Sequence, residues 1–166
     1  MADASGEFLR YTGIRSTSTT TLRGEMHMRI LIADPQPKVR FALRVLLERQ
    51  PGLELVGEAG DTEGLLAQIE GACPDALLLG WELSGIPVEH LMPALREACP
   101  ELVVIALSAR LEAQRAAVAL GADAFVSKCS PPEQLLSAIA SCECQSQTEP
   151  QPAGNSEKRT TPPPKA

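Results

Sequence analysis

Apolar positions in this chain gather into five short runs separated by stretches of helical spacing. The runs are Ile30–Ala33, Leu53–Val56, Ala76–Leu79, Leu102–Leu107 and Ala124–Val126. Most of them are apolar at consecutive positions, which predicts strands covered on both faces, as parallel strands flanked by helices are. In the first intervening segment Val39, Leu43, Leu46 and Leu47 fall on one stripe, with Pro37 near its start and Pro51-Gly52 beyond its end. In the second, Asp61 is placed to cap, Leu65, Leu66 and Ile69 to pack, and Gly71 to terminate. The third runs roughly from Val88 to Ala98 with Leu91 and Leu95 inward, and Pro93 inside it should kink it or displace its start. The fourth, about Leu111 to Leu120, puts Ala113, Ala117 and Leu120 on one stripe and closes at Gly121. The fifth begins at Pro131-Pro132 and buries Leu135, Leu136 and Ile139. Five βα units joined by connections this short predict a doubly wound α/β sheet with helices on both faces.

Composition agrees with that plan. Apolar residues make up 44% of the 166, but aromatics only 3%, so the core has to be aliphatic. Residues 1–27 carry Ser16-Thr17-Ser18-Thr19-Thr20-Thr21 and no sustained apolar period. They are expected to form a flexible leader, with Met26 or Met28 as alternative starts. Residues 144–166 are rich in Gln, Thr and Pro, a composition that buries too little apolar surface to offset its ordering entropy, and disorder is expected there. The domain proper is therefore 28–143. Within it 16 acidic residues face 9 basic ones, a net charge of −7, which argues against a nucleic-acid surface. No apolar stretch is long enough for a membrane span and no secretory pattern opens the chain, so a cytoplasmic protein is expected. The five cysteines (Cys73, Cys99, Cys129, Cys142, Cys144) show no C-x-x-C spacing, and reduced thiols without a metal are the expectation.

The candidate chemistry lies where the strands end. In open α/β sheets, sites form at the carboxyl edge. There the chain has Arg29-Ile30-Leu31-Ile32-Ala33-Asp34, Pro74-Asp75-Ala76-Leu77-Leu78-Leu79-Gly80-Trp81-Glu82-Leu83, Ala106-Leu107-Ser108-Ala109 and Gly121-Ala122-Asp123-Ala124-Phe125-Val126-Ser127-Lys128. Together these segments, over about 115 residues from Met28 to Cys142, resemble the receiver domain of bacterial response regulators. The resemblance implies a flavodoxin-like, doubly wound, five-stranded parallel sheet of order 2-1-3-4-5 with five helices, in three α/β/α layers.

It also implies a pocket. A receiver carries two acidic residues after its first strand, a phosphoaccepting aspartate after the third, a hydroxyl after the fourth and a lysine after the fifth. Phosphoryl transfer needs carboxylate oxygens for Mg²⁺, and a cation and donors for the developing charge. This chain keeps Asp34 but has Pro35 at the second acidic position and Gly80 at the acceptor position. Ser108 and Lys128 match the hydroxyl and the lysine, and Phe125 matches the aromatic that rotates on activation in many receivers. The usual Lys-Pro pair is Lys128-Cys129, which puts the cis peptide common there in doubt. Glu82 falls where the family uses a backbone carbonyl, so its side chain need not face the pocket. Trp81 either fills vacated space or stands on the surface as an anchor.

With two of three acidic groups gone, no Mg²⁺ or other cofactor is expected. Asp34 and Lys128 are free to pair across the sheet edge, although Asp34 could equally cap the first helix and Ser108 could serve as a cap or turn former. The reading this supports is a non-enzymatic, stand-alone pseudo-receiver of two-component phosphorelay signalling. It would bind a histidine kinase, another regulator or itself through the face of the fourth helix, fifth strand and fifth helix. Two alternatives stay open: phosphotransfer through Ser108 or Glu82, and a small-ligand binder using the flavodoxin-like crevice, whose Asp34-Pro35-Gln36-Pro37 loop is not glycine-rich.

Overall fold

A computed structural model of the chain describes residues 27–146, with side chains through Glu143. The strands are β1 (Met28–Ala33), β2 (Leu53–Ala59), β3 (Ala76–Gly80), β4 (Val103–Ser108) and β5 (Ala124–Ser127). The helices are α1 (Pro37–Glu48), α2 (Thr62–Ala72), α3 (Val88–Ala98), α4 (Ala113–Ala119) and α5 (Pro132–Ser146). All neighbouring strands are parallel, in the order β2-β1-β3-β4-β5. This is the doubly wound, flavodoxin-like strand order that the family resemblance implies. The leader through residue 26 and the tail from residue 147 lie outside the described residues, and α5 runs three residues past the expected boundary at 143.

Alternation along each strand splits the core into two layers. Leu31, Ala33, Leu77 and Leu79 face Leu65 and Ile69 of α2 and Leu91 and Leu95 of α3. Ile30, Ile32, Leu78 and Ile105 point the other way, onto Leu47 of α1 and Leu135 and Ile139 of α5. Each such aliphatic side chain contributes roughly 1.5–3 kcal/mol on burial. A smaller cluster, Ala106, Ala117 and Ala122, seats α4 with Trp81 and Phe125 packed against it. Small side chains there let the helix approach while leaving room for the two rings.

The helix signals behave as their physics requires, with two departures. Asp61 caps α2, accepting from the Gly64 N–H at 2.7 Å. Gly71, however, does not end that helix. It is exposed with open space around it, and α2 continues to Ala72 before Cys73 turns left-handed (φ 37°) ahead of Pro74. Pro disfavours helical backbone in the residue before it, so Pro74 stops the helix where Gly71 does not. Pro93 sits within α3, which nevertheless runs from Val88 as expected. Pro93 and Glu89, whose carbonyl loses its helical donor, are both on the exposed face, where water can serve that carbonyl.

The expectation of reduced thiols is overturned at two of the five cysteines. Cys73 and Cys99, which follow the last residues of α2 and α3, are joined in a disulfide with their Cα atoms 5.9 Å apart. Their 26-residue separation gave no sign of this, because only the side-by-side packing of α2 and α3 brings the two helix ends together. Cys129 carries an exposed thiol, and Cys142 is buried.

Candidate functional site at the carboxyl edge of the sheet

Strand register sets the site. Ala33 pairs with Leu79, Gly80 with Leu107 and Ser108 with Ser127, so β1, β3, β4 and β5 end side by side. Asp34, Gly80, Ser108 and Lys128 therefore converge, although 94 residues of sequence separate the first from the last. The Lys128 N–H donates to the Ser108 carbonyl at 2.9 Å, tying the last two strand ends together.

Asp34 is fully buried and takes the pocket ion pair, not the helix-cap role that the sequence also left open. Its Oδ1 accepts from the Gln36 N–H at 2.9 Å, shaping the turn into α1, whose cap position is Gln36 itself. Its Oδ2 lies 2.6 Å from Lys128 Nζ, whose side chain is 13% exposed. Among the described residues that oxygen has no other partner, so the ion pair compensates its desolvation. Arg40, from α1, donates to the Asp34 carbonyl at 2.6 Å and closes the rim over Gly60. Pro35, half-buried, presents no side-chain oxygen to this pocket.

Gly80 is explained by Asp34. Its backbone lies outside the positive-φ region, so conformation does not demand glycine there. Space does. A Cβ at residue 80 would stand 2.5 Å from Asp34 Oδ2, 3.0 Å from its Cγ and 3.2 Å from the Ala33 carbonyl oxygen. The Asp34 carboxylate occupies the volume where a side chain at 80 would begin.

The residue the sequence undervalued is Glu82. Instead of turning away, its carboxylate reaches the pocket mouth, where Oε1 accepts from Ser108 Oγ at 2.7 Å and Oε2 lies 3.6 Å from Lys128 Nζ. Ser108, fully buried, also accepts from the Arg110 N–H at 3.0 Å, so it is a turn former and a pocket hydroxyl at once. The signal for Glu82 was its place two residues beyond the strand end. What hid it was that its direction depends on the turn that follows.

That turn is anchored at several points. The Trp81 N–H donates to the Leu107 carbonyl at 2.8 Å and the Leu83 N–H to the Gly80 carbonyl at 3.1 Å, while Leu83 is buried in the α2/α3 layer. Farther on, the Thr62 N–H donates to the Ser84 carbonyl, and the Ile86 N–H to Thr62 Oγ1 at 2.8 Å. Gly85, at φ 114°, is required there because a Cβ would meet Thr62 Oγ1. Trp81 is half-buried, packed against both the α4 cluster and the α2/α3 layer. Phe125 is half-buried in the same cluster, and all peptide bonds among the described residues are trans, Lys128-Cys129 included.

Among the described residues a cavity of about 730 Å³ opens on the site itself, lined by Trp81, Glu82, Arg110, Glu112 and Ala113. Another, of about 810 Å³, opens at the amino edge of the sheet, beside His27, Met28, Pro74 and Glu143. A third, about 500 Å³, is an apolar groove between α1 and α5 lined by Val39, Leu43, Leu46 and Leu135. On the other side of the sheet edge, Leu111 and Val118 of the α4 region stand 68% and 58% exposed. No helix among the described residues is long and apolar enough to cross a membrane.

Comparison with known proteins places this geometry. Residues 30–140 match the family model described as the response regulator receiver domain. The nitrate/nitrite response regulator protein NarP of Escherichia coli is 32% identical over 112 residues, covering 66% of this chain and 52% of NarP. The transcriptional activator protein ExaE of Pseudomonas putida is 34% identical over 115 residues. The chain spans about half the length of these curated relatives. Among solved structures, a LuxR-family two-component response regulator from Aurantimonas superposes with TM-score 0.66 at 27% identity, covering 71% of this chain and 86% of that one. The signal receiver domain of the putative response regulator NarL from Mycobacterium tuberculosis gives 0.63 at 26%, covering 69% and 94%.

Proposed function

This chain belongs to the response regulator receiver domain family, and from that premise we propose that it is a pseudo-receiver: a two-component signalling module that takes no phosphate on aspartate and acts by binding other proteins. The observation that carries the proposal is the Asp34 carboxylate standing 2.5 Å from where a Cβ of residue 80 would be. The acceptor is not merely deleted, because its space holds an anion already paired with Lys128 at 2.6 Å. The same pairing speaks against a divalent cation. Mg²⁺ would need carboxylate oxygens directed at it. Here Pro35 and Gly80 offer none, and the one buried carboxylate is neutralised by an ammonium. Ser108 and Glu82 are each other's partners, which leaves neither as a ready alternative acceptor.

Output through protein contact is supported by the surface beside the site. Leu111 and Val118 expose apolar side chains just before and within α4, the helix whose Ala117 shares a cluster with Phe125 of β5. We assign this face of α4, β5 and α5 to a protein partner: a histidine kinase, another regulator or a second copy. The domain's acidity makes nucleic acid a poor partner for this part of the protein, and a cytoplasmic location belongs to the same reading. The test is titration of the purified domain against a candidate kinase or regulator, and against itself, with and without Mg²⁺ and a small phosphodonor. Affinities should be the same in both conditions. A phosphodonor-dependent change in affinity would overturn the proposal.

A further inference from the structure

Glu82 has a place in the pocket that neither the missing acceptor nor the family plan requires. Its side chain is 40% exposed, so its carboxylate could be fully hydrated by turning outward. Instead it lies on the Ser108 hydroxyl and within 3.6 Å of the Lys128 ammonium. The backbone holds it there. Trp81 on one side is bonded to the Leu107 carbonyl, Leu83 on the other is buried, and the following turn is tied to Thr62 of α2. One carboxylate thus joins the ends of β3, β4 and β5 through a charge-assisted hydrogen bond and an ionic contact.

We propose that Glu82 is a built-in anion. It takes the Ser108 hydroxyl and a share of the Lys128 charge from within the chain, so these groups stay engaged without any anion from solution. This rests on the pseudo-receiver reading and adds what holds the pocket in its single arrangement. Ser108 Oγ donates to Glu82 Oε1 while accepting from the Arg110 N–H. The state of Glu82 is therefore passed directly to the turn that leads into α4 and to exposed Leu111. Lys128 is shared unequally, at 2.6 Å from Asp34 and 3.6 Å from Glu82. Removing Glu82 leaves the Asp34 pair in place and frees the Ser108 proton and one side of the ammonium.

Two consequences follow for solution anions. In the native chain, inorganic phosphate would have to displace a carboxylate that the fold already holds in place, while itself losing the translational and rotational freedom of a free solute. In Glu82→Ala the hydroxyl and the ammonium become available, and phosphate has a site where none existed.

The experiment is backbone amide NMR of the native chain, Glu82→Ala and Glu82→Gln, each titrated with inorganic phosphate. Glu82→Ala should move the Arg110, Leu111 and Lys128 amide resonances, and phosphate should bring them back toward their native positions. Glu82→Gln keeps an acceptor for Ser108 but no charge for Lys128, so its Arg110 amide should stay near native while that of Lys128 moves. The native chain should not respond to phosphate at these positions. If Glu82→Ala perturbs only residues adjacent to 82, or if the native chain and Glu82→Ala respond equally to phosphate, the inference is wrong. A covalent phosphoryl adduct on the native chain would instead overturn the pseudo-receiver reading, whichever way these spectra fall.

Discussion

Gly80→Ala is the smallest change that probes the refilled pocket. In most strands this substitution would be favourable, since alanine restricts the unfolded chain and gains about 0.4–1 kcal/mol wherever the native backbone allows it. The Gly80 backbone does allow it, lying outside the positive-φ region. The added methyl, however, meets Asp34 Oδ2 at 2.5 Å, Asp34 Cγ at 3.0 Å and the Ala33 carbonyl oxygen at 3.2 Å. Asp34 cannot simply step aside. One oxygen is held by the Gln36 N–H and the other by Lys128, and the residue has no exposed surface. Overpacking of this kind costs roughly 1–3 kcal/mol. Offset by the alanine gain, the expected loss is about 1–2 kcal/mol. Urea unfolding followed by the fluorescence of Trp81, the only tryptophan, gives the free energies directly.

The decisive comparison is a double-mutant cycle. In an Asp34→Ala background the obstructing carboxylate is gone, so Gly80→Ala should be neutral or stabilising, giving a coupling of at least about 1 kcal/mol. Asp34→Asn supplies the control, since it removes the charge but keeps the volume, and there the penalty should persist. An equal cost of Gly80→Ala in the native and Asp34→Ala backgrounds would refute the idea that Asp34 is what excludes a side chain at 80.

Three further outcomes follow from the same geometry. Lys128→Met strands the fully buried Asp34 carboxylate, and removing one partner of a buried pair typically costs about 3–5 kcal/mol. A thermal melt showing no loss of stability would rule out a structural ion pair. Leu111→Asp, at a 68% exposed position, should leave the unfolding free energy within about 0.5 kcal/mol of native while abolishing partner binding or self-association through the α4 side. Retention of both functions would move the interface elsewhere. Burial, and secondarily the negative charge of Asp123, push the Cys142 thiol above its ordinary range. Its proton is therefore lost from the unfolded chain first, so this group's contribution to stability is complete at neutral pH and declines as pH rises past the ordinary thiol range. Iodoacetamide mapping by peptide mass should correspondingly label exposed Cys129 well before Cys142.

The parts of this protein legible from its sequence are those fixed by local or periodic rules. Apolar runs placed all five strands: the inner strands β1, β3 and β4 are covered on both faces and need no alternation, while the edge strands β2 and β5 are only partly buried. Asp61 and Gly121 marked a helix start and a helix end through cap chemistry that acts within a few residues. The strand order needed the family resemblance, since crossover direction leaves little trace in composition. Pocket residues Asp34, Ser108 and Lys128 were legible for the same reason, being fixed by the ends of strands. Glu82 and the Cys73–Cys99 bond were not. The direction of Glu82 is set by a turn whose anchors, Thr62 and Leu107, lie 20 and 25 residues away in opposite directions. The disulfide depends on how α2 and α3 pack side by side. Gly80 stood out at once, but its reason was hidden: the vacancy is occupied by Asp34.

The most direct test of the proposal that this receiver takes no phosphate is the intact mass of the native chain after incubation with Mg²⁺ and a small acyl phosphodonor, read beside a phosphorylatable receiver treated identically. The mass of this chain should not change while the control gains one phosphoryl group. A stoichiometric phosphoryl adduct on this chain, at Ser108, Glu82 or anywhere in the pocket, would contradict the central claim.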